Sequence, residues 1–89
     1  MKILTLHEYM VEGMTELQIL REISVNADCI VAFARGNVEM TAENITKCQK
    51  YDIDVESNNG RLGVEIKLIN GEKVRAIEHY EYVKRVLEE

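Results

Sequence analysis

Apolar and polar positions alternate most regularly between Ile53 and Ile66, on either side of the turn pair Asn59-Gly60. A two-residue Asn-Gly loop suits the primed turns whose twist matches that of paired strands. With that loop, Ser57 faces Leu62, Val55 faces Val64 and Ile53 faces Ile66. Apolar side chains then meet across the ladder, and the pattern predicts a hairpin with one buried face that helices must cover.

Elsewhere the spacing changes. Lys2 to Leu6 predicts a short strand. Thr15-Glu16-Leu17-Gln18 has the form of a capping box. Leu17, Leu20 and Ile23, with Ile19 and Ala27 beside them, recur at helical spacing, which predicts a helix from about Glu16 to about Asn26. Residues 29–34 are rich in β-branched and aromatic side chains and are bounded by Gly36-Asn37; they predict a central strand buried on both faces. Val38-Glu39-Met40 predicts a brief strand. Thr41 is a plausible N-cap for a helix over 42–51 that turns Ala42, Ile45 and Cys48 inward.

A second Asn-Gly, Asn70-Gly71, offers two continuations. A two-residue loop would set Leu68 against Lys73, whereas a three-residue loop over 70–72 pairs Leu68 with Val74. The helical alternative accommodates more residues, because Ala76 or Ile77, Tyr80, Val83 and Leu87 recur every three to four positions. It predicts one long C-terminal helix beginning between Glu72 and Ile77. The fold class expected is α+β: a single domain over 1–89, with a small antiparallel or mixed sheet of about four strands and two to three helices on one face.

That order of elements resembles the small phosphocarrier HPr, in which helices lie on one side of a four-stranded sheet. The family's phosphorylated histidine stands in a Gly-x-His-x-Arg-Pro segment at the start of its first helix. The matching stretch here is Gly13-Met14-Thr15-Glu16-Leu17-Gln18, which has neither the histidine nor the Arg-Pro pair. Glu43-Asn44-Ile45 stands where the family has Lys-Ser-Ile. The resemblance implies an arrangement of elements and no histidine phosphotransfer.

Charge narrows the partners. The net charge is −5, and residues 8–65 hold 11 acids against 5 bases, whereas residues 66–89 hold 5 of each. A surface of this kind repels nucleic-acid phosphates and anionic lipid and attracts basic protein surfaces. The longest apolar run, Cys29 to Ala34, is far shorter than the roughly 20 residues that cross a bilayer. No secretory leader is legible at the N-terminus, and Cys29 and Cys48 read as free, buried thiols, which gives a cytoplasmic expectation.

Candidate chemistry is sparse. His7 beside Glu8 and His79 beside Glu78 are the histidine–carboxylate neighbours, but their spacing is no metal signature, so they read as solvated. Cys48 lies on the apolar stripe late in its helix, which suits packing better than nucleophilic attack. The glycines form no phosphate loop. The expectation is therefore a non-catalytic intracellular protein-interaction module: an acidic inhibitor, immunity-type or accessory protein, with no metal or cofactor, that docks on a basic partner or pairs with itself. The contact residues expected are Asp52, Asp54, Glu56 and Glu65 on one hairpin face, with Tyr82, Tyr9 and Met10 as anchors. Self-association would run through the strand at Lys2–Leu6, taken as a sheet edge, or through the terminal helix. The alternative is a small regulatory or ligand-binding domain, a degenerate HPr-like fold with a pocket between sheet and helices.

Overall fold

A computed structural model of the chain describes residues 2–13, 16–39, 41–53 and 61–89. Five antiparallel strands form one sheet: β1 (Ile3–Glu12), β2 (Glu16–Asn26), β3 (Ile30–Glu39), β4 (Arg61–Leu68) and β5 (Lys73–Ala76), in the spatial order β2-β1-β5-β4-β3. Two helices, α1 (Ala42–Lys50) and α2 (Tyr80–Glu88), complete the fold. The class is α+β, as expected, with five strands and two helices among the described residues.

The first correction concerns residues 16–26, which form β2 and not a helix. They pair with β1 along its whole length, Leu4 with Val25, Leu6 with Ile23 and Val11 with Leu17. The helical stripe arises because the register slips between Glu8 and Tyr9, leaving Leu20 as an extra residue on β2. A bulge shifts the phase of a period-two pattern, and here it imitates a period near four. The bulged Leu20 is 51% exposed. With a strand in this place, the order of elements departs from that of HPr. β1 also runs on to Glu12, so Tyr9 and Met10 belong to a strand and not to an irregular segment. β1 has β2 on one flank, whereas on the other it meets β5 only at the Glu8–Ala76 pair, beyond Lys2–Leu6.

The second correction concerns the hairpin. Its first arm from Asp54 and its turn Asn59-Gly60 lie outside the described residues. Its second arm is β4, but Val64 has Arg35 and Ala76 as ladder neighbours, and Ile66 has Phe33 and Val74. Both flanks of Ile66 are thus occupied, and Ile53 does not pair with it. Lys67 likewise faces Ala32 and Lys73.

The third correction is β5, which forms where the sequence favoured helix. Its loop is Ile69-Asn70-Gly71, one residue earlier than the three-residue alternative, and it sets Ile66 against Val74. Gly71 at φ +90 occupies the left-handed position that closes three-residue hairpin loops. The Asn70 side chain helps by accepting from the N–H of Glu72 at 2.9 Å. The terminal helix accordingly starts at Tyr80, and Val83 is its buried residue.

β3 is an edge strand, so residues 29–34 are not buried on both faces. Val31, Ala32 and Ala34 are exposed, whereas Phe33 turns inward onto Tyr80 of α2, ring centroids 5.1 Å apart. β3 carries irregularities at Val31 and at Gly36-Asn37. Gly36 is required at its position, since a Cβ there would stand 2.6 Å from the Gly63 carbonyl carbon. Instead of ending the strand, Gly36-Asn37 bends it, and Val38 continues the same strand.

Two apolar clusters follow from this layout. Leu4, Leu6, Val25, Val64, Ile66 and Ala76 meet Val83 of α2, with Tyr80, Tyr82, Val86 and Leu87 packed at the margin. Arg35 lies over the Tyr80 ring at 4.4 Å and bonds Glu81 at 2.8 Å, which ties α2 to the β3 edge. The second cluster joins Tyr9, Leu17, Val38, Ile53 and Ile77 to Cys48 of α1. Thr41 caps α1 as expected, its hydroxyl accepting from the N–H of Asn44 at 3.1 Å, but Ala42 is exposed and Asn44 takes the inward position. Asn44 Oδ1 accepts from the N–H of Leu17 at 3.3 Å, and its Nδ2 donates to the carbonyl of Glu39 at 3.0 Å. One side chain therefore satisfies main-chain groups on both edge strands, β2 and β3, and draws the two ends of the sheet together around α1.

α1 stops in a Schellman turn. The N–H of Asp52 donates to the Gln49 carbonyl at 3.0 Å and that of Ile53 to the Cys48 carbonyl at 3.1 Å. Asp52 adopts φ 61, a left-handed conformation that Asp tolerates better than most residues, and Ile53 then folds back on Cys48 in the second cluster.

Candidate functional site

Where β1, the end of α1 and the start of α2 meet, a cleft of about 300 Å³ opens. β1 contributes Thr5 and His7, the turn after α1 contributes Asp52 and Ile53, the β5–α2 connection contributes Glu78 and His79, and α2 contributes Tyr82 and Arg85. Strand alternation and the helical period explain these choices: Thr5 and His7 are two apart on β1, and Tyr82 and Arg85 are three apart on α2.

The centre of the cleft is the pair His7 and Glu78. The Glu78 carboxylate takes the main-chain N–H of His7 on Oε1 and the ring Nδ1 on Oε2, each at 2.7 Å. The next main-chain contact in the β1–β5 ladder is the Ile77 N–H to the His7 carbonyl at 2.9 Å. Glu78 thus stands where a further ladder acceptor would stand, and it fixes the imidazole at the same time. The His7 ring also lies 4.0 Å, through Nε2, from its cross-strand neighbour Glu22 and 5.8 Å from the Tyr51 ring. His7 and Glu78 side chains are 16% and 12% exposed, so His7 is not the solvated residue that its sequence neighbourhood implies. Nor does it pair with Glu8, which bonds Arg21 at 3.0 Å.

Cys48 lies under this cleft, and burial, reinforced by the Glu78 charge, pushes its thiol up to about 11. At neutral pH it holds its proton and cannot act as a thiolate nucleophile. Among the described residues, no three His, Cys, Asp or Glu side chains gather as a metal centre would require.

The expected contact residues are dispersed. Asp54 and Glu56 lie outside the described residues. Asp52 and Tyr82 line the cleft, Tyr82 half-buried against the first cluster. Glu65 is on β4, 3.4 Å from Arg75. Tyr9 is only 7% exposed, its hydroxyl pushed up by burial, while Met10 is exposed. Sequence reasoning missed the His7–Glu78 pair because the partners are 71 residues apart and each has a different carboxylate or histidine beside it in the chain.

A second surface is the outward face of β3, β4 and β5. Ala32, Ala34, Glu65, Lys67, Lys73 and Arg75 are all exposed there, alternating with the inward Phe33, Ile66 and Val74. Among the described residues, no helix is long and apolar enough to cross a membrane. Comparison with protein-family models, with curated proteins and with solved structures finds no match.

Proposed function

We propose that the chain is a non-catalytic protein-interaction module that docks on a larger partner in the cytoplasm. The observation that carries this reading is the outward face of β3, β4 and β5, on which the side chains of Ala32, Ala34, Glu65, Lys67, Lys73 and Arg75 are all exposed. The chemically capable groups support it from the other side. Glu78 binds His7 at both its main chain and its ring, and Cys48 keeps its proton, so both side chains serve packing. The unbridged cysteines suit a reducing compartment.

The test places a photo-activated cross-linking residue at Ala34, on the bare face, and in a second protein at Ser24, exposed on β2. Illumination in the host cell should give a discrete heavier species from Ala34 and none from Ser24. Absence of a product at Ala34, or equal products at both positions, contradicts the reading.

A second reading is favoured by the cleft itself. Its volume sits at the lower end of the range for small-molecule sites, and it gathers two imidazoles, two carboxylates, a phenol and a guanidinium. A ligand held there raises the melting temperature with its concentration. A thermal-shift screen of small polar metabolites separates this regulatory role from the first: the interaction module shows no such shift.

A further inference from the structure

Lys67 and Lys73 are direct cross-strand partners on β4 and β5, and both side chains are exposed. Like charges set opposite each other on a sheet cost stability. None of the ion pairs among the described residues involves either lysine, and the nearest same-face positions along the two strands are Glu65 and Arg75, which pair with each other. Among these described residues, Lys67, Lys73 and Arg75 therefore stand against the carboxylate of Glu65, in a chain whose net charge is −5. Beside them β3 presents Ala32 and Ala34, and a hollow of about 160 Å³, lined also by Phe33 and Glu65, runs between the alanines and the lysines.

We propose that this trough is the docking site for an acidic segment of a partner protein, its carboxylates on Lys67, Lys73 and Arg75 and its apolar side chains on Ala32 and Ala34. The inference rests on the interaction-module reading and reverses the partner's charge from the one that the whole-chain balance suggests. Local charge governs a docked contact, because interactions beyond about 8 Å are screened at physiological salt. An acidic peptide fits better than a nucleic acid. The chain's overall charge opposes a phosphate backbone.

The experiment measures fluorescence anisotropy of a short labelled peptide of alternating glutamate and leucine, with an alternating serine–leucine peptide and a single-stranded DNA oligonucleotide as comparisons. The glutamate peptide should bind saturably, weaken with salt, and lose roughly tenfold in affinity in Lys67→Glu. Folding does not confound this variant, since removing the lysine–lysine opposition should raise its melting temperature by about 1–4 °C. Higher stability together with weaker binding is the signature of a residue kept for a ligand. Binding that is unchanged in Lys67→Glu, or equal for the oligonucleotide, overturns the proposal. Absence of peptide binding while Ala34 still cross-links to a protein overturns the acidic partner and leaves the interaction module standing.

Discussion

Glu78 holds His7 from a distance of 71 residues, accepting the main-chain N–H on one carboxylate oxygen and meeting Nδ1 with the other, both at 2.7 Å. The contact joins the connection before α2 to the middle of β1. It therefore fixes where α2 enters its packing over Leu4 and Leu6.

Removing this carboxylate should be costly. Glu78→Ala leaves the His7 N–H without its acceptor in a half-buried site, an expected loss of about 1–3 kcal/mol. For a domain of this size, that is a fall in melting temperature of at least about 4 °C. Glu78→Gln keeps an acceptor for the N–H and should retain about half of the lost stability. Thermal unfolding followed by circular dichroism checks both, and an Ala variant that melts with the parent would show the pair to be dispensable.

Asn44 should behave as a second keystone, because its amide serves β2 and β3 together. Asn44→Leu has similar volume but strands the Leu17 N–H and the Glu39 carbonyl. The expected cost is about 2–4 kcal/mol. Amide exchange provides the specific reading: the Leu17 N–H should lose protection by more than the α2 amides do.

Gly36 is fixed by backbone proximity. Gly36→Ala puts a methyl 2.6 Å from the Gly63 carbonyl carbon, where neither strand can move alone. Overpacking of this kind costs about 1–3 kcal/mol. Gly13→Ala meets no atom within 4 Å and carries only the cost of its positive φ, so the smaller loss there in a denaturant titration separates crowding from conformation.

Alkaline pH should destabilise the fold through Cys48 and Tyr9. Both have folded pKa values raised by burial, Cys48 from 9.0 to about 11 and Tyr9 upward from 10.0. Above pH 9 the unfolded thiol ionises while the folded one keeps its proton, so the unfolded state gains. Stability is full below pH 9 and declines as pH rises toward 11. In Cys48→Ala the decline should be shallower and begin nearer the Tyr9 range. An identical alkaline profile for parent and variant would contradict the assignment.

The sequence made the class, the capped α1 and the amphipathic α2 legible, because each is written in local spacing: Thr41 before Ala42–Lys50, and Tyr80, Val83 and Leu87 along one stripe. It misled at β2, where one bulged residue, Leu20, turned alternation into a helical period. It misled again at β4, because a well-matched local hairpin competes with pairings to Phe33 and Val74 that only the assembled sheet reveals. His7–Glu78 and Lys67–Lys73 were illegible for related reasons: the first spans most of the chain, and the second depends on a loop register that moves by one residue.

β3, β4 and β5 bury one face against the core and leave the other exposed. A soluble gadolinium probe with methyl NMR measures this directly. The methyls of Ala32 and Ala34 should broaden as strongly as those of the exposed Ile69, while Leu6, Val64 and Val83 stay sharp. Protection of Ala32 and Ala34 to the level of Val64 in the isolated chain would mean that the face is already covered, and would contradict that exposure.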